Sequence, residues 1–380
     1  MSHITFEMKF LLYLYCSLFA GAVVALAQDR AEPLDPAGYL TKYDVDFDGV
    51  GPEVYVLPTP RHQPKRDLLV ESYQAKADFE AEINWALDVQ HFLAEFRQVG
   101  NADYLDRWVF GGTPDAQQWD TMVAQELGRK NYTGAYSILH LQAFRSLKTG
   151  AFDRGLELLL GALQQAQKTR NDADIATIRY NLANLYLLRN NVEQAGAFLA
   201  DAHASAVRRA DIIEQGNTLI KQALVQARAG DYASAEDNII HRAIPIFNKI
   251  EAHDRKVIAW LTLAKIYRSH RLHTEAQWFL LQARELAESH NFRTDLAEIE
   301  YLLALSKISQ RNYPMAEREF IHANKMADAE GNKMLQLAIL DKLGQVYLAE
   351  NKRDKAQRIL TEYQNLRNFL FPKQQIAFNL

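Results

Sequence analysis

The sequence predicts an all-α protein, a solenoid of antiparallel helix pairs, and three observations carry that prediction. Small residues recur at Gly155, Ala195, Ala235, Ala276, Ala316 and Ala356, at steps of 40, 40, 41, 40 and 40 residues. Twelve residues before each stands another small residue, Ala143, Ala183, Ala223, Ala264, Ala304 and Gly344; four after each comes a large apolar one, Leu159, Leu199, Ile239, Leu280, Phe320 and Leu360. Turn formers separate the halves of these units, at Thr149-Gly150, Asn190-Asn191, Gly230-Asp231, Asn312-Tyr313-Pro314 and Asn351. Each unit is therefore a helical hairpin whose small side chains let two backbones approach while larger ones fill the next layer.

A chain of 380 residues would ordinarily make two or three domains, but a fixed repeat turns most of it into one long array. The 48% apolar content suffices for an extended core, and a net charge of -4 gives no footprint for nucleic acid.

At the start, Lys9 precedes an apolar run from Phe10 to Val24 that ends in Ala25-Leu26-Ala27. A charged n-region, an apolar h-region and small residues at a cleavage point describe a signal peptide over residues 1–27. An exported protein is expected, periplasmic or at the cell surface and bacterial in style, with no membrane span left after cleavage. An uncleaved anchor is the alternative, since the run approaches the ~18 residues that span a bilayer. Cys16, the only cysteine, lies within this run, so the mature chain would have neither thiol chemistry nor disulfides and would depend on its core alone.

Residues 28–66 hold six of the ten prolines, which prevents a continuous helix. Within them Asp44, Asp46 and Asp48 alternate before Gly49, the pattern by which a tight loop turns carboxylates onto calcium. The match is partial: counting Asp44 as position 1, Pro52 stands at position 9 and Tyr55 at position 12, where acidic ligands belong. An acidic solvated turn is the competing reading, and no other cofactor is implied.

Residues 67–131 read as a helical cap or a degenerate first repeat. Phe79, Ile83, Leu87, His91 and Leu93 share one side of a helix over 67–96, Asn101–Phe110 is a second short helix, and Asp115 caps a third that runs to about Gly128.

Residues 132–371 hold the six repeats, and the fourth is the clearest: Trp260, Leu263, Ala264, Tyr267, Ala276, Leu280 and Ala283. The second supplies Leu182, Ala183, Tyr186, Ala195, Leu199 and Ala202, the sixth Leu343, Gly344, Tyr347, Ala356 and Leu360. This array resembles the tetratricopeptide repeat family in its longer form. The resemblance implies a right-handed superhelical solenoid that binds protein or peptide segments along the concave face of its inner helices. Carried over position by position, that face would include His140, Phe144, Tyr180, Asn184, Lys265, Arg268, Tyr301, Asp341 and Gln345. The carboxylate clamp of chaperone-binding members is disfavoured, because Tyr180 stands where a Lys should precede Asn184, and Lys221 where the third repeat would need an Asn.

The third repeat departs from the pattern at Gln226, Arg242 and Pro245, and the extra residue of the 41-step is expected between it and the fourth, with a local change of pitch. In the fifth, Lys307 occupies an aromatic position, so its stem is expected to snorkel. Phosphate-loop, serine-elbow and zinc-helix motifs are absent from the sequence, and His270 and His273 read as a polar turn. In the tail 372–380, Ile376 and Phe378, with Leu370 and Phe371, are expected to fold over the last repeat or to make a homo-oligomer contact.

The expected function is thus a non-enzymatic scaffold or adaptor that binds a protein or peptide partner. The alternatives are a secreted helical-toroid enzyme acting on polysaccharide and a calcium-dependent surface module.

Overall fold

The computed structural model describes residues 69–70, 72–73, 80–99 and 114–371, all within one compact unit, Leu69–Leu380. The signal segment, the aspartates Asp44, Asp46 and Asp48, the helix expected at Asn101–Phe110 and the tail after Phe371 lie outside the described residues.

Among the described residues, α1 (Glu80–Glu95) and α2 (Ala116–Gly128) precede the array. The array itself begins with the pairs α3 (Tyr132–Lys148) and α4 (Phe152–Ala166), then α5 (Asp172–Leu188) and α6 (Val192–Arg208). In the third repeat α7 (Ile212–Arg228) is followed by α8 (Tyr232–Asp237) and α9 (Ile244–Lys249). The remaining pairs are α10 (His253–Ser269) with α11 (His273–Ser289), α12 (Arg293–Ser309) with α13 (Tyr313–Ala329), and α14 (Lys333–Ala349) with α15 (Arg353–Leu370). Among the described residues there is no strand, and no helix is long and apolar enough to cross a membrane.

The small-residue rule explains why the hairpins close. Ala143, Ala183, Ala223, Ala264 and Ala304 are 0% exposed, as are their partners Ala195, Ala235, Ala276, Ala316 and Ala356. At Gly155 even a methyl group would come within 2.6 Å of Leu147, so glycine sets the spacing of α3 against α4. One layer on, the consensus aromatic of the first helix stacks on a phenylalanine of the second: Tyr186 on Phe198 at 5.7 Å and Tyr267 on Phe279 at 5.4 Å. Trp260, by contrast, is only half-buried and lies under the Lys256 ammonium at 4.6 Å.

The turns share one design. A residue with positive φ ends the helix, such as Asn190 (56°), Glu251 (55°) or Arg271 (62°). The amide after Asn190, that of Asn191, donates to Tyr186 O at 2.8 Å, closing a Schellman turn. The Asn191 side chain then accepts from the Gln194 amide and starts the next helix. The junction between α4 and α5 has no such left-handed residue.

The extra residue of the 41-step is not in a connecting loop, as the sequence suggests, but inside the second helix of the third repeat. Asn238–Ala243 forms a π turn between α8 and α9, with the Ile244 amide bonded to Ile239 O. One added residue is absorbed there as a bulge, and Pro245, which has no amide to donate, follows directly after it. Gln226, in place of the aromatic, accepts from the buried Asn238 side chain at 2.7 Å. Phe247 then reaches across to Gly216, where no Cβ could be accommodated without displacing its ring. In the fifth repeat Lys307 is half-buried and its Nζ reaches Gln277 Oε1 at 3.3 Å, as a snorkelling stem should.

Residues read as one cap or degenerate repeat divide in two. α2 begins with a capping box between Asp115 and Gln118 and packs Trp119 against Ile138 and Leu141 of α3. α1 goes elsewhere, along the inner helices. At the far end Leu69 and Tyr73 join the core of the last repeat, where Leu370 and Phe371 are also half-buried.

Gly216→Ala should therefore lower stability by ~1–3 kcal/mol through the clash with Phe247. Gly161→Ala, whose methyl would meet only Leu139 at 3.7 Å, should raise it by up to about 1 kcal/mol through helix propensity. Urea titration of both variants measures the pair, and equal effects would refute the packing account.

Candidate binding groove

The first helix of each repeat faces inward, and the inner faces are polar at positions the hairpin packing does not use. One repeat position carries Asn181, Lys221 and Lys342, separated by 40 and 121 residues, the latter being three repeat steps. The position before it carries His140, Tyr180, Tyr301 and Asp341, all under 9% exposed. Such groups on a concave surface need hydrogen-bonding or charged partners.

Those partners come from α1 and the residues after it. Lys342 pairs with Glu80, and the half-buried Lys221 pairs with Glu95. His91 Nε2 lies 3.4 Å from Glu298, whose other oxygen holds Lys265 at 2.6 Å. Gln90 donates to Asn332 Oδ1 at 3.1 Å. Just beyond the helix, the Arg97 guanidinium pairs with Glu214 and lies 3.5 Å over the Tyr180 ring. The Asn181 carboxamide grips the backbone of Arg97 from both sides, accepting from its amide at 3.1 Å and donating to its carbonyl at 2.7 Å.

Apolar contacts flank this polar seam. Phe92, Phe96 and Val99, at helical spacing, are buried with the core of the first two repeats. Phe96 stacks on Phe144 at 4.8 Å and lies 4.9 Å from His140. Ile83 belongs to the core of the later repeats. Tyr73 lies on Gly344, where any Cβ would strike its ring, and donates to Ala356 O at 2.8 Å. Gly344 therefore does more than close its hairpin.

His140, Phe144 and Tyr180 touch the Phe96–Arg97 pair. Lys265 reaches the same segment through Glu298. Tyr301 is buried near Phe320 at 6.1 Å, and Gln345 donates to Asp341 at 3.4 Å. Arg268 Nε and both amide atoms of the buried Asn184 have no hydrogen-bond partner among the described residues. Carry-over missed Asn181, Glu214, Glu298 and Lys342, and it weighed Lys221 only as a mark against a clamp.

Electrostatics follow burial. Burial pushes the Glu298 carboxyl up, but Lys265 and His91 outweigh it and hold the group well below the usual range. Asp295, one turn earlier, is raised to about 6 by burial and by Glu298, Asp254 and Glu330. Both oxygens of Glu298 are engaged, one by the Lys265 ammonium and the other by His91 Nε2. Among the described residues no cluster of three or more His, Cys, Asp or Glu is arranged to hold a metal.

Helix hairpins of this kind define a tetratricopeptide-type right-handed superhelical solenoid. The chain is similar to the Rap protein solved in complex with Competence and Sporulation Factor, with a TM-score of 0.50 and 14% identity over 80% of this chain and 77% of that one. It is also similar to a Signal Transduction ATPase with Numerous Domains from Pyrococcus horikoshii that has a tetratricopeptide repeat sensor, with a TM-score of 0.51 and 14% identity over 80% of this chain and 47% of that one. At such identities the likeness establishes the fold. No protein-family model matches the sequence, and no curated protein matches it.

His140 gives the groove a measurable pH signature. Burial lowers its pKa from 6.5 to about 4, so between those values the unfolded chain holds a proton that the folded chain lacks. Relative to His140→Gln, the wild type should lose stability as pH falls through that window, by up to roughly 3 kcal/mol. Asp295 has the opposite sign: its raised pKa lets the folded chain bind the proton first between about 6 and 3.8, so relative to Asp295→Asn the wild type should gain stability there. Urea titrations across this pH range test both signs.

Proposed function

We propose that the chain is a non-enzymatic scaffold or adaptor that binds a protein or peptide segment along the concave face of its inner helices. One observation carries this reading: that face already grips a helix of the same chain through charge pairs, and the residues just after it through a bidentate backbone clasp at Asn181 and ring stacking. A surface that holds one helix in this way has the means to hold another. Tyr180 and Arg268 are the anchors of choice, since aromatic and Arg side chains dominate binding hot spots. The Rap protein, solved in complex with Competence and Sporulation Factor, supplies a precedent on the same fold.

Export belongs to this reading and is supported by the run Phe10–Val24 with Ala25-Leu26-Ala27. Partners would then be met in the periplasm or at the cell surface.

Photo-crosslinking residues placed at Phe144, Lys265 and Gln345, on inner helices, should yield adducts with partner proteins in the native compartment. The same probes at Trp278 and Leu281 of the outer helix α11, 56% and 42% exposed, should yield few. Adducts that arise mainly from α11 would move the binding face to the outside of the array.

A further inference from the structure

The contacts between α1 and the array are of an exchangeable kind. The array-side lysines Lys342 and Lys221 are each only 13% exposed, whereas Glu80 and Glu95 on the segment are 44% and 39% exposed and His91 is 44% exposed. Ion pairs with one half-solvated partner contribute little each, so the charged part of the hold consists of several weak attachments, while Ile83, Phe92, Phe96 and Val99 supply its apolar part. The fit is also incomplete. Asn184, 6% exposed, projects from α5, the helix that clasps Arg97, yet both of its amide atoms lack a partner, and so does Arg268 Nε. A buried carboxamide without partners costs roughly 1–3 kcal/mol, which a better-matched occupant would recover.

The seam specifies such an occupant. Lys342 and Lys221 receive carboxylates fifteen residues apart on one helix, about 22 Å at ~1.5 Å per residue. Phe144 and His140 receive an aromatic ring immediately after the second carboxylate, and Tyr180 with Glu214 receives a cation next to that ring.

We propose that α1 with Phe96 and Arg97 is a built-in competitor for the groove, displaced by a partner's amphipathic helix that carries carboxylates about four turns apart and an aromatic–cation pair just after its last turn. This rests on the function proposed above and adds its regulation and the chemistry of its ligand. A tethered segment acts at an effective concentration in the millimolar range, so an external helix of equal intrinsic affinity binds only as far as the segment lets go.

The test uses the full chain and a fluorescein-labelled peptide of residues 80–99 as the external helix. Two variants loosen the resident segment by independent routes: Phe96→Ala with Arg97→Ala on the segment, and Gly344→Ala beneath Tyr73. Far-ultraviolet circular dichroism and the melting transition establish that the array stays folded. Both variants should bind the peptide at least about tenfold more tightly than the unmodified chain, with faster hydrogen exchange confined to α1. Adding Lys221→Ala to either variant should weaken peptide binding by about tenfold, through loss of the site for Glu95. Equal affinity of the unmodified and loosened chains would overturn the competitor and leave the groove as a binding face. A folded, loosened chain that takes up no peptide would overturn both, and indifference to Lys221→Ala would overturn the assigned ligand chemistry.

Discussion

Two backbones can pack closely only where neither helix carries bulk, and this constraint governs the whole array. The fully buried alanines at twelve-residue spacing fix each hairpin, and repetition every 40 residues fixes the superhelix. Where the rule is stressed, the chain adapts locally rather than abandoning it. The third repeat carries one residue too many, and a π turn at Asn238–Ala243 absorbs it while Ala235 and Ala223 stay fully buried. Phe247 can then fill the space over Gly216.

Inward-facing helices create a second constraint. The outer surface can leave its charges to water, but Lys221, Asp341 and Glu298 lie where water is largely excluded. They are satisfied from within the molecule, by other inner helices and by a segment that precedes the array. Burial alone would make Lys221 easier to deprotonate, yet Glu95 reverses the effect and its pKa is raised. The groove and its occupant are thus electrostatically complementary, and neither is explained without the other.

Much of this was legible in the chain. The hairpins follow from repeated small residues, and Asp115 announced the start of α2. The 41-step announced an inserted residue but suggested the connection to the fourth repeat rather than the helix, because a longer loop and a π turn each use one. α1 was legible as a helix, with Ile83 and Leu87 on one side, but its destination was not. Glu80 and Glu95 look like the solvated face of an amphipathic helix, and the lysines that bind them lie 262 and 126 residues away. Local pattern holds no trace of such pairings. The positions carried over from the resemblance include the rings of Phe144 and Tyr180, which touch Phe96 and Arg97. They passed over Asn181 and Lys342, which become conspicuous only when the repeats are superposed and seen to share one position with Lys221.

Solenoids ordinarily fold from neighbour to neighbour, each repeat needing only the next. Tyr73 breaks that locality, because its hydroxyl bonds to Ala356, 283 residues further along the chain. The two ends of the array are coupled through the segment between them, which raises the contact order of an otherwise local topology. Synthesis gives this coupling a direction in time. Glu80 leaves the ribosome long before Lys342, and at ordinary elongation rates the 262 residues between them take on the order of 10–50 s. Hairpin after hairpin can form in that interval around an empty channel, and α1, made before all of them, is among the last elements to find its place.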